Sequence, residues 1–125
     1  MTIMGALHHI DVIKPNSYSQ VEKIKWLSNL DGTVKTEIID THEVKEGENV
    51  TFNGYDENTD LSQPLLVPHP YDVVYISWLQ AQIDYANGEY GKYNNSINIY
   101  NTEYSAFEKY YNRTHMPISK NFTHF

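Results

Sequence analysis

Residues 93–111 read YNNSINIYNTEYSAFEKYY, and their large apolar and aromatic side chains recur at alternating intervals of four and three residues. Such a repeat brings the recurring side chains to one side of an α-helix. Asparagine and charged residues occupy the positions between them. The pattern therefore predicts a long C-terminal amphipathic helix whose seam consists of Tyr93, Ile97, Tyr100, Tyr104, Phe107 and Tyr111.

The preceding segment, residues 71–87, is apolar around much of its circumference. Apolar residues recur there at helical spacing from Val74 to Tyr85, which is typical of a central, enclosed helix. Gly88 and Gly91 follow, and glycine costs about 1 kcal/mol in a helix interior relative to alanine. We therefore expect the C-terminal helix either to fold back on this central helix or to continue from it through a kink near Gly88.

The N-terminal third carries shorter helical patterns. Thr2 is placed to cap a first helix, in which apolar side chains recur at intervals of three and four up to residue 13. Ser19 and Glu22 form a capping box that begins a second helix, and Gly32 is well placed to end it. A third short segment follows at residues 33–41. The chain is therefore predicted to be mainly α, with four to five helices in a single helical domain spanning residues 1–125.

Residues 43–67 have a different composition. Acidic residues crowd together there with Gly47, Gly54 and Pro64, as in a loop. Residues 49–52 (NVTF) have the composition of one short strand. We expect an acidic loop or a short β-hairpin that rests on the helices, because an isolated hairpin is marginally stable.

The C-terminal segment, residues 113–125, shows no periodicity and contains Pro117, Phe122 and Phe125. It is predicted to be an extended arm. The chain also holds 11 tyrosines, more than one small core needs, and tyrosine is enriched at protein interfaces. We assign the seam to the core, and the tail aromatics and three further tyrosines to interfaces with other proteins: Tyr55, Tyr90 and Tyr110.

The length, net charge and cysteine content of the chain exclude or disfavour several classes of function. A chain of 125 residues is one ordinary domain. Its net charge of −7 disfavours binding to a phosphate backbone, which needs a basic face. Cysteine is absent, which excludes disulfides and thiol nucleophiles within this chain. No apolar stretch approaches the length of a membrane span, and the first ten residues do not resemble a secretory signal.

Motifs of catalysis or metal binding are not found. The six histidines are scattered, without the spacing of metal-binding helices. Asp56, Asn58 and Asp60 imitate half of a calcium loop, but Leu61 stands where that loop requires glycine. Asp84 and Glu89 form a carboxylate pair that we expect on an exposed helix face. We expect no enzymatic activity, no cofactor and no metal.

Several strings together resemble a family of small proteins encoded in the structural-gene clusters of tailed phages and prophages of Firmicutes. The family is associated with head–tail connector, or adaptor, proteins. The likeness covers nearly the whole chain and is weakest at residues 43–50. The strings that carry it are KPN (14–16), KIKWLSNLDG (23–32), EIIDTH (37–42), FNGY (52–55), LLVP (65–68), AQIDYANGE (81–89), YNNS (93–96) and YYNRTHMP (110–117).

The resemblance implies a structural virion protein that is assembled in the host cytoplasm. Connectors of this kind form a ring, typically of twelve copies, beneath the portal protein and join the head to the next tail-side component. DNA passes through the ring without specific binding, and no membrane is involved. The arm residues implied to dock on the portal are Met116, Pro117, Ile118, Phe122 and Phe125.

Two alternatives to the connector role remain open from the sequence. One is another virion assembly role, such as tail completion or head stabilisation. The other is a small phage regulatory or nucleic-acid-handling protein, which the negative charge disfavours.

Overall fold

The computed structural model describes residues 1–118 and confirms a mainly α-helical fold. Its four helices are α1 (Ile3–Ile13), α2 (Gln20–Glu37), α3 (Val74–Ala86) and α4 (Tyr90–Thr114). Short 3₁₀ turns at Ile39–Thr41 and Tyr71–Val73 follow α2 and precede α3. No helix within these 118 residues is long and apolar enough to cross a membrane.

The first two helices begin at the predicted capping residues. The Thr2 hydroxyl accepts a hydrogen bond from the backbone N–H of Gly5 at 3.0 Å. The Ser19 hydroxyl accepts one from Glu22 N–H at 3.1 Å. Each cap satisfies a backbone donor that a helix start leaves without an intrahelical partner.

Gly32 does not end α2, contrary to the sequence prediction. Leu30 and Val34 are both buried on either side of it, so one apolar stripe continues through the glycine. A Cβ at Gly32 would lie 3.7 Å from the ring of Phe52, so this side of the helix is covered by the loop. The predicted segment 33–41 is therefore the end of α2 together with the following 3₁₀ turn.

The long C-terminal helix folds back on α3 and is separate from it. Gly88 has a φ of +75°, a conformation that glycine adopts readily, and Gly91 lies within the first turn of α4. The Ser77 hydroxyl bonds to Glu103, whereas Asp84, two turns later on α3, bonds to Ser96. These contacts run in opposite directions along the two helices, so α3 and α4 form an antiparallel pair.

The two helices of this pair differ in burial. Most of α3 is enclosed, as predicted, with Tyr75, Leu79 and Ile83 fully buried. Within α4, whose 25 residues all lie in the described chain, Phe107 is the one fully buried side chain. Tyr100, Tyr104 and Tyr111 lie half-buried against the core, and Tyr93 meets the ring of Tyr85. The helix therefore covers the core with one edge and leaves most of its surface to solvent.

Of the two alternatives predicted for residues 43–67, the structure has the loop and not the β-hairpin, because residues 1–118 contain only isolated bridges and no strand. The end of this loop pairs with the start of α1 instead. Ile3 N–H donates to the carbonyl of Gln63 at 3.1 Å, and Met4 N–H donates to that of Leu61 at 2.9 Å. The loop thus supplies acceptors to helix donors that would otherwise be unpaired.

The predicted arm begins slightly later than the sequence suggested. Arg113 and Thr114 belong to the last turn of α4, and His115 is the first residue with extended geometry. Residues 119–125, which include Phe122 and Phe125, lie outside the described residues.

Candidate protein-interaction site

The start of the C-terminal arm is tied to the segment that follows α2. Glu43 N–H donates to the carbonyl of Met116 at 2.7 Å, and Ile118 N–H donates to that of Thr41 at 2.9 Å. His42 and Pro117 form an antiparallel bridge between these two bonds. The arm therefore leaves the body at a fixed point.

Two buried histidines, 73 positions apart in the chain, meet beside this point. The His115 ring stacks on Tyr111 with 3.8 Å between centroids and an interplanar angle of 2°. The His42 ring meets the same tyrosine edge-on at 4.9 Å. Nε2 of His115 lies 2.9 Å from Oε1 of Glu48, which belongs to the acidic loop. We call His42, Glu48, Tyr111 and His115 the histidine junction.

Hydrogen bonds fix the orientation of His42 in this junction. Its Nδ1 lies 2.6 Å from the carbonyl oxygen of Ile38. Its Nε2 lies 2.7 Å from the side-chain Oδ1 of Asn112. Burial, together with the carboxylates of Glu48 and Asp40, raises the pKa of Tyr111. The histidine junction thus connects α2, the acidic loop and the end of α4.

A second junction holds the middle of the loop. Asp31 is fully buried on α2 and accepts from the hydroxyls of Tyr55 at 2.6 Å and Tyr75 at 2.5 Å. It also accepts from Leu66 N–H at 3.0 Å. The Tyr75 hydroxyl in turn accepts from Val67 N–H at 2.7 Å. We call Asp31, Tyr55, Tyr75 and the two backbone donors the Asp31 junction.

Burial governs the protonation of this second junction. Removal from water raises the pKa of Asp31, although its three hydrogen bonds oppose that effect. Burial and the nearby Asp31 carboxylate raise the pKa values of Tyr55 and Tyr75, so both phenols keep their protons. The two tyrosine hydroxyls bond to the Asp31 carboxylate. The arrangement is suited to holding a loop in place and leaves Asp31 no open side for a substrate.

The interface residues predicted from the sequence have different surroundings. Tyr55 is engaged within the chain through Asp31. Tyr110 stacks on Tyr71 with 4.9 Å between ring centroids. Tyr90 is 59 % exposed at the start of α4. In the arm, Met116, Pro117 and Ile118 are exposed.

The carboxylate pair named in the sequence analysis is not one unit. Asp84 is buried, 2.6 Å from the Lys14 ammonium and hydrogen-bonded to the Ser96 hydroxyl at 2.8 Å. Glu89 pairs with Lys92 on the surface instead. The expectation that Asp84 is exposed is therefore wrong. Within the described chain, no group of three or more histidine and acidic side chains is placed to hold a metal ion.

Sequence reasoning missed both junctions. Asp31 continues the apolar stripe of α2 between Leu27 and Val34, and a carboxylate in such a stripe is a readable signal of a buried polar contact. The contacts of His42 with Tyr111 and Asn112 gave no such signal, since these residues lie about 70 positions away in the chain. Comparison with protein-family models, with curated proteins and with solved structures finds no significant match to this chain.

Proposed function

We propose that this protein is a structural virion component, a head–tail connector that assembles as a ring beneath the portal and joins the capsid to the tail. The observation that carries the proposal is the root of the arm. Met116 is 68 % exposed and Ile118 is 43 % exposed, yet the backbone of both is tied to residues 41–43. A segment whose backbone is held in place and whose side chains are exposed is suited to docking on a larger protein.

The surface of α4 supports assembly with further copies. A helix of 25 residues is about 37 Å long, and more than half of the residues of α4 are exposed to solvent. Tyr90 and Ile99 are both more than half exposed on it. In a closed ring each subunit repeats the same lateral contact, so modest contacts give a stable assembly. We assign no catalytic step to this protein, and its net charge of −7 suits a ring that DNA passes without adhering.

The docking part of the proposal is tested by removing residues 119–125. This deletion keeps the two backbone hydrogen bonds at residues 116 and 118, whereas a deletion from residue 116 would also remove them. The assay is co-sedimentation with the purified portal protein of the same gene cluster. We expect attachment to be lost in the deletion and in Phe122→Ala/Phe125→Ala. The control is Ser119→Ala/Thr123→Ala, which changes two polar residues of the same segment; equal attachment of all variants would contradict the proposal.

The lateral contact is tested separately by native mass spectrometry at increasing protein concentration. We expect ring-sized assemblies of the wild-type chain and fewer of them for Tyr90→Ala. Val12→Ala, an exposed aliphatic position on α1, is the control. A strict monomer at every concentration, with and without portal protein, would contradict ring formation.

A further inference from the structure

Two hollows lie side by side at the root of the arm, between the acidic loop and the end of α4. One has a volume of about 210 Å³ and includes Ile118, Val44 and Glu43 in its wall. The other has a volume of about 220 Å³ and includes Phe107 and Leu66. Both share a partition formed by Ile39, Glu48, Asn49, Val50 and Tyr111. We call the two hollows the arm groove.

Exposed aliphatic side chains converge on this groove from two segments, the acidic loop and the start of the arm. Val44 is 72 % exposed, Val50 37 % and Ile118 43 %. Ile39, from the 3₁₀ turn, contributes a half-buried side chain to both hollows. A concave apolar surface assembled from several segments marks a binding site more strongly than the same residues scattered singly.

We infer that the arm groove is the docking site of the chain's own C-terminal residues, Asn121–Phe125. The last described residue, Ile118, is itself part of the wall of the groove. Phe122 is four residues further on, so a span of about 13 Å is within its reach. The groove is therefore within reach of the residues that follow Ile118.

The composition of the tail fits the groove in two respects. Phe122 and Phe125 are its two aromatic residues, and the groove has two hollows with apolar walls. Lys120 is the one lysine or arginine among residues 119–125. The wall next to Ile118 carries the carboxylates of Asp40, Glu43 and Glu48 together with the ammonium of Lys35, which pairs with Asp40. Apolar rings with a neighbouring cation complement apolar hollows with an acidic rim.

The inference goes beyond the connector proposal, because it concerns the isolated subunit. Docking in the groove shields the two phenylalanines until a partner displaces them. Any partner that binds the tail then competes with this intramolecular contact, whose effective concentration is high because the linker is short. Weakening the groove is therefore expected to leave the tail more available to a partner.

The test uses the full chain labelled with 4-fluorophenylalanine, which gives one ¹⁹F resonance for each of its four phenylalanines. Phe122→Leu and Phe125→Leu assign the two tail resonances. We expect both tail resonances to lie away from the random-coil position and to be shielded from a soluble paramagnetic reagent. In Val44→Asp and Val50→Asp they move to the random-coil position and lose that shielding. Far-ultraviolet circular dichroism reports that each variant keeps its helical fold.

Val12→Asp is the matched control, because Val12 is 64 % exposed on α1, outside the groove. It is expected to leave the tail resonances unchanged. Random-coil positions in the wild-type chain, or equal effects of Val12→Asp and Val50→Asp, would overturn the inference. Shifts that appear only as protein concentration rises would assign the groove to the tail of a second copy, which also overturns it. None of these measurements uses the portal protein, so they test the arm groove independently of the connector proposal.

Discussion

The Asp31 junction and the histidine junction fasten the same loop to the helices with different chemistry. Asp31 has no exposed surface and receives three hydrogen bonds from donors in the loop and α3. The side chain of Glu48, which connects the loop to the histidine junction, is 48 % exposed. One fastening is therefore inside the protein, and the other lies at its surface.

This difference determines what each junction controls. A buried carboxylate interacts strongly with its hydrogen-bond donors. If the carboxylate is removed, those donors remain buried without an acceptor. A half-exposed carboxylate exchanges its partner for water at little cost. We therefore expect the Asp31 junction to contribute to the stability of the whole fold, and the histidine junction to control local opening at the root of the arm.

The strongest test of the comparison is Asp31→Ala. It leaves the Tyr55 and Tyr75 hydroxyls and the Leu66 N–H without their acceptor. Because hydrogen bonds to a buried charge are costly to break, we expect the free energy of unfolding to fall by about 4 kcal/mol. Urea denaturation followed by circular dichroism measures this value. Asp60→Ala, at an exposed position of the same loop, is the control, and a loss below about 1 kcal/mol for Asp31→Ala would mean that the junction is not structural.

His115→Ala is the corresponding test of the histidine junction. It removes the stack on Tyr111 and the contact with Glu48, for which we expect a loss of about 2 kcal/mol. Hydrogen exchange measured by mass spectrometry should accelerate at residues 41–50 and 116–118 and stay unchanged at Leu66 and Val67. His9→Ala, on the exposed side of α1, is the control. Equal acceleration in all regions would show that the two junctions are one cooperative unit.

The helices were predictable because their signals are local. The caps at Thr2 and Ser19 and the 4-3 repeat of α4 each involve residues within a few turns. Gly32 misled the prediction, since tertiary burial of the stripe on either side outweighs the propensity of one residue. The hairpin alternative for residues 43–67 was wrong for a similar reason: the loop pairs its backbone with the start of α1, a partner that lies about 60 positions away in the sequence.

The site was less predictable than the fold. Exposure of Met116 and Ile118 agrees with their assignment to the arm, but the anchoring of that arm on residues 41–43 follows from a contact between the two halves of the chain. The sequence assigns Tyr55 to an interface, whereas the fold uses both its hydroxyl, which bonds to Asp31, and its ring, which packs against Phe52. Composition shows how many tyrosines are available and does not show which buried acceptor each one meets.

The dependence of stability on pH separates the two junctions further. Burial raises the pKa of Asp31 in the folded chain, so the folded state keeps a proton that the unfolded state releases above about pH 4. The stabilisation from this group is complete below that pH and is lost as the pH rises through the raised pKa. We therefore expect the stability of the wild type relative to Asp31→Asn to decrease on going from acid toward neutral pH, with a slope of at most about 1.4 kcal/mol per pH unit. Urea denaturation over a pH series measures it, and a difference that does not change with pH would contradict the raised pKa.

The smallest effect is expected for Glu48→Gln, which keeps the shape of the side chain and removes its charge. Because the carboxylate is half-exposed, water replaces much of what His115 provides, and the loss of stability should stay below about 1 kcal/mol. Added salt should reduce the difference between variant and wild type, since it screens exposed charges. Glu46→Gln, at an exposed position of the same loop, controls for the change in net charge. A loss above about 2 kcal/mol would place Glu48 among the groups that hold the whole fold, and the contrast between an internal and a peripheral fastening would no longer hold.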